Sequence, residues 1–202
     1  VSTQKPAAPS PKTKLICDVL VRDSLLKADQ LDAVQSRVMR AGERVEEAIL
    51  ALGFVSEAEM LKSLATHYKV YFISSEKLAK AEVARSLLGM IPQRFAEQIG
   101  VCPVLFDPKT HALSVVTADP DDLEALHEAQ LASGAREIKA VLARPAAVRA
   151  LITKVYTGDI HAFAMFDRQA HEQLQAMLHG QGRRIVLDPS KSDLYTEPQT
   201  SR

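Results

Sequence analysis

Lys14–Arg37 and Arg44–His67 align at a constant spacing of 30 residues, and this internal repeat limits the fold more than any other feature. Leu20 falls on Leu50, Leu25 on Val55, Asp29 on Glu59, Leu31 on Leu61 and Val34 on Leu64. Each copy reads as a short helix, a tight turn and a longer helix. In the second copy Gly53 stops the first helix, and Ser56-Glu57-Ala58-Glu59 is a capping box for the next. The first copy is cruder: Asp23 stands at the Gly53 position and Leu26 at the Ser56 position. The repeat predicts four short helices packed as one small all-α unit.

After it the pattern changes. Val70–Ile73 reads as an extended connector, and Ser75–Leu88 as a helix stopped by Gly89. Ile99–Phe106, His111–Thr117 and Arg136–Leu142 read as strands, the first two joined by an Asp-Pro-Lys-Thr turn. Asp119-Pro120-Asp121-Asp122 predicts a helix start, with Asp119 as the cap and Pro120 in the first helical position. That helix runs to Ser133 and stops at Gly134, and Pro145–Tyr156 forms a closing helix. The fold class is α+β: a four-helix repeat unit followed by a small α/β sandwich with a three-stranded sheet. The expected organisation is a Pro-rich leader over residues 1–13, a helical unit over 14–95, an α/β unit over 96–157, and an amphipathic helix (Ile160–His179) with a polar tail over 158–202.

The residues that carry chemistry are sparse. The chain has no Gly-x-x-x-x-Gly-Lys-Ser/Thr phosphate loop and no Gly-x-Ser-x-Gly elbow. His171-Glu172 begins a zinc-protease motif, but Gln175 stands where its second histidine belongs. Asp119, Asp121 and Asp122 suit a helix N-terminus without any metal. Cys17 and Cys102 lie among apolar residues and read as reduced core thiols. Lys plus Arg and Asp plus Glu are equal at 25 each, which removes the basic excess expected of a nucleic-acid coat, and no run is long enough to span a membrane.

The duplicated helix–turn–helix, followed by Val101-Cys102-Pro103-Val104 and by Leu113 through Leu126 (with its Ala-Asp-Pro-x-Asp step), resembles the N-terminal domain of type II secretion and type IV pilus assembly ATPases. The resemblance covers residues 14–157. It implies a cytoplasmic, non-catalytic regulatory module that docks on a protein of the secretion or pilus machinery, with no catalytic residue, cofactor, metal or nucleic acid, and it admits an oligomer. The alternative it implies is a sensor of cyclic di-GMP. Members that bind this dinucleotide open each repeat with Arg-Leu-Gly, and the matching positions are Lys14-Leu15-Ile16 and Arg44-Val45-Glu46. The resemblance therefore makes Lys14, Leu15, Arg44 and Val45 the candidate ligand residues. Ile16 and Glu46 replace the glycines, and Glu46 places an anion where a phosphate would approach, a repulsion of roughly 1–4 kcal/mol at ~4 Å.

Overall fold

A computed structural model of the chain describes residues 10–166, which lie within one compact unit. Helix α1 (Pro11–Arg22), a 3-10 turn (Ala28–Gln30) and α2 (Leu31–Ala41) form the first repeat; α3 (Val45–Ala51) and α4 (Glu57–Tyr68) form the second. The capping box closes as its sequence requires: the Ser56 hydroxyl accepts from Glu59 N–H at 3.3 Å, and the Glu59 carboxylate accepts from Ser56 N–H at 3.2 Å. Gly53 takes the left-handed conformation at φ +70°. In the first copy that bend moves one place on, to Ser24 at φ +59°. Asp23 instead accepts a hydrogen bond from Ser63 Oγ of α4 at 2.6 Å, tying the copies together. The repeated apolar positions converge: Leu20, Leu50, Leu61, Val34 and Leu64 share one core with Ile16 and Ile49.

Helix α1 begins inside the stretch expected as leader. Ser10 accepts from Thr13 N–H, and Pro11 occupies the first turn, where its missing N–H costs nothing.

Among the described residues the sheet has four strands, not three. β1 (Tyr71–Phe72), β2 (Val101–Asp107), β3 (Ala112–Thr117) and β4 (Glu137–Leu142) lie in the order β1-β4-β3-β2. β2 and β3 are antiparallel, while β3–β4 and β4–β1 are parallel. The added strand comes from the run expected as a connector. Tyr71 pairs with Val141 and Phe72 with Leu142, and Ile73 N–H donates to Leu142 C=O at 2.9 Å. A two-residue strand is too short to leave a periodic signal.

The expected helix over 75–88 breaks into α5 (Ser75–Lys80) and α6 (Arg85–Leu88). Ala81 and Ala84 are extended, and the Lys154 ammonium donates to the carbonyls of Ala79 and Ala81 at 2.6 and 2.9 Å, satisfying groups the break would otherwise strand. α7 (Gln93–Ile99) takes Ile99 from the predicted first strand, and Gly100 at φ +65° turns the chain into β2. α8 (Leu123–Ser133) starts later than expected: Asp122, not Asp119, accepts the capping bond from Ala125 N–H at 3.0 Å. α9 (Pro145–Thr157) closes the unit.

Leu78 of α5, Ile91 between α6 and α7, and Ala96 of α7 join Val101, Leu113, Val115 and Leu151 in a second core. The two cores divide along the sequence near residue 70, with Leu142 belonging to the first. Residues 160–163 form a turn and 164–166 are helical, where a helix from Ile160 was expected. Phe163 is buried in the second core and Phe166 packs against it. The rest of that expected helix, the polar tail and residues 1–9 lie outside the described residues. No helix among the described residues is long and apolar enough to cross a membrane.

Candidate functional site

The first turn of α3 concentrates the unusual chemistry. Arg44 precedes it as the N-cap, and Glu46 and Glu47 follow, both buried. Carboxylates near a helix N-terminus match its dipole, but burial demands a cation for each.

Arg44 serves Glu46. Its Nη2 donates to Glu46 Oε1 at 2.7 Å and its Nε to Oε2 at 3.3 Å. The same guanidinium also forms a fork with Asp119, 75 residues away in the β3–α8 turn: Nη1 to Oδ2 and Nη2 to Oδ1, both 2.6 Å. Four hydrogen bonds thus leave Asp119 and Glu46 sharing one cation. The fork with Asp119, against the opposing effect of burial, and the contact with Glu46 hold the Arg44 proton more tightly than usual. Burial alone would raise the Asp119 pKa, but hydrogen bonds from Arg44 and Lys12 outweigh it and leave the pKa below the ordinary aspartate value. Lys12 of α1 pairs with Asp119 and, at 3.0 Å, with Asp121. Asp119 and Asp121 therefore share Lys12, while Asp122 is spent on its cap.

Glu47 is held separately. Arg144 donates to its Oε2 through Nε at 2.8 Å and Nη2 at 2.6 Å, and Ala146 N–H donates to Oε1 at 2.9 Å. Glu57 accepts from the N–H and hydroxyl of Ser75 at 2.6 and 2.9 Å. Phe166 lies under the Arg144 guanidinium, 4.9 Å from its ring centroid.

Two clefts flank Arg44. One, of about 400 Å³, lies between the starts of α1 and α3 and the end of α2; Val38, Met39 and Val45 line it, with Lys12, Arg44 and Glu46. The other, of about 460 Å³, runs along the β3–α8 turn past Asp119 and Asp122. Arg44 is the one residue common to both linings among the described residues. Of the four sequence candidates, Arg44 and Val45 line the first cleft. Lys14 and Leu15 do not: both lie on the exposed side of α1. The cation at that end is Lys12, two residues earlier and outside the Arg-Leu-Gly alignment. Asp119 has the sequence context of a cap, and no local pattern pairs it with Arg44.

The fold and this geometry can be set beside known proteins. The family model described as MshEN domain matches residues 68–162. The match begins at Tyr68, after both repeat openings, so Lys14, Leu15, Arg44 and Val45 fall outside it. Over 139 residues the chain is 26% identical to the type IV pilus assembly ATPase PilB of Myxococcus xanthus (strain DK1622), a stretch that is 69% of this chain and 24% of PilB. The chain thus spans about a quarter of that relative's length. The structure of MshE with cdg superposes with a TM-score of 0.55 at 21% identity, covering 70% of this chain and 98% of that one. The N-terminal domain of XpsE superposes at 0.51 and 23% identity, covering 74% and 99%. At these identities the likeness is one of fold: the chain shares the architecture of MshE and of the N-terminal domain of XpsE.

Proposed function

We infer that the chain is a non-catalytic docking module of a type II secretion or type IV pilus machine, working in the cytoplasm on a protein of that machinery. One observation carries the reading: the arginine that a dinucleotide would need is already bound by Asp119 and Glu46. A ligand phosphate arriving there meets a carboxylate at each side of the guanidinium, and Glu46 cannot leave it without becoming a buried, unpaired anion. The absence of a phosphate loop from the sequence supports a non-catalytic role, and no ATP hydrolysis above a buffer blank is expected.

A second reading, a cyclic di-GMP sensor, is favoured by the cleft beside Arg44 and Val45 and by the fold likeness to MshE, whose structure carries cdg. One experiment separates the two. The full chain is titrated with cyclic di-GMP by calorimetry, and in parallel tested for capture by the cytoplasmic domain of the machine's inner-membrane platform protein. The docking reading expects capture, and a nucleotide dissociation constant no better than roughly 10 µM. Sub-micromolar nucleotide binding that is lost in Arg44→Ala replaces it with the sensor reading.

A further inference from the structure

Helix α8 is apolar on two sides. It packs against β4 and β2 and buries Ala125 and Ala129. On the opposite side, at steps of four residues, stand Leu123, His127 and Leu131, all exposed. The two leucines are 75% and 70% exposed. Helical rise sets them about 12 Å apart along the axis. A lone exposed leucine is ordinary, but two on one stripe give α8 an apolar face with no neighbour among the described residues. One edge of that stripe is acidic. Glu124 and Glu128 line the cleft along the β3–α8 turn, together with Glu97 and Asp122. Asp119 in the same lining is matched by Arg44, which leaves Arg149 as the remaining cation there. Among the described residues no lysine or arginine lies within ion-pair distance of these four carboxylates. Asp122 caps α8 and Glu124 suits its dipole, so the fold itself uses both. Glu128 lies in mid-helix, and Glu97 lies in the last turn of α7, the end whose dipole disfavours an anion. The chain as a whole carries 25 charges of each sign, so this excess is one of placement.

We propose that the outer face of α8 is a docking surface for an amphipathic helix of a protein partner, one whose apolar stripe is bordered by lysines or arginines. The partner's apolar side chains cover Leu123 and Leu131, and its cations reach into the cleft toward Glu97 and Glu128. A second copy of this chain fits less well, because a two-fold contact places the same acidic edge on both helices. The inference rests on the docking reading and adds to it the chemistry of the partner's surface.

The test uses the full chain and a pair of synthetic helical peptides. One carries leucines on one face with lysines beside them; the other has glutamate in place of every lysine. The parent should bind the lysine peptide at least about tenfold more tightly than the glutamate peptide. Leu123→Ser combined with Leu131→Ser should weaken binding of the lysine peptide at least about tenfold, since two leucines no longer leave water. Glu97→Lys combined with Glu128→Lys should reverse the preference between the peptides, which general stickiness cannot do. Circular dichroism checks each fold, and should the leucine variant not fold, the charge-reversed variant carries the test. Equal affinity of the parent for both peptides overturns the proposal, as does unchanged binding by the leucine variant. Dimerisation of the parent in sedimentation that the leucine variant abolishes also overturns it and gives the face to a second copy. Capture of the platform protein's cytoplasmic domain is scored separately. Capture without peptide binding ends this proposal and leaves the docking reading standing; charge-selective peptide binding without capture does the reverse.

Discussion

Arg144 gives two hydrogen bonds to a single oxygen of Glu47, at 2.8 and 2.6 Å, while the other oxygen of that carboxylate takes the Ala146 N–H of the first turn of α9. Glu47 thus neutralises a buried arginine and caps a helix with one side chain, across 97 residues of sequence.

Glu47→Ala should therefore be among the most damaging single substitutions. It removes two hydrogen bonds from the buried Arg144 guanidinium, which keeps the longer contact with Glu57 at 3.8 Å, and uncaps α9, a loss of roughly 3 kcal/mol. Urea denaturation followed by circular dichroism measures it; a cost below about 1 kcal/mol, the range of a surface ion pair, contradicts this account.

Ser56→Ala removes one side of the capping box of α4. The expected cost is about 1 kcal/mol, with no change in denaturant slope, because the helix still packs its apolar face. A change in slope would show that α4 unfolds separately.

Asp119 titrates below its ordinary value in the folded chain, burial being outweighed by Arg44 and Lys12. A depressed carboxylate stabilises above its unfolded pKa of about 3.9 and loses that contribution as pH falls through the folded value. Melting temperature should accordingly fall more steeply below about pH 4 in the parent chain than in Asp119→Asn. Parallel curves for the two would show that the fork contributes nothing to stability.

Burial pushes the Cys102 thiol up to about 12, and burial with the nearby charges of Asp18 and Glu46 pushes Cys17 up to about 11. Neither should react with a thiol reagent at pH 8 within minutes, and both should react once urea unfolds the chain. Prompt labelling of Cys102 in the native protein would mean that β2 opens locally.

The sequence carried the parts of the fold whose signals are local. The Ser56 box, the stops at Gly53 and Gly134, and the helix–turn–helix inside each repeat all depend on residues within a few positions of each other. What it concealed depends on distant partners. Nothing in Ser75–Leu88 announces a break, because the Lys154 ammonium that satisfies the broken end is supplied by α9. Asp119 has the local credentials of a cap, yet Arg44 claims it and Asp122 caps instead. For the site, Glu46 was legible as an anion beside Arg44, since the two are neighbours in the chain. Lys12 was not, because the aligned repeat directs attention to Lys14, on the exposed side of α1.

Leu142 is the last residue of β4, yet its side chain is buried in the helical core with Ile16, Leu20 and Ile49, while Val141 and Ala143 on either side of it pack in the other core. An excised pair of repeats would present a hole where that leucine belongs, and an excised sheet would carry it bare to water. Neither half is a portable part. Chimeras between relatives should exchange the stretch from α1 through α9 whole, and a junction placed near residue 70 should yield insoluble protein even when both donor sequences fold well in their own contexts.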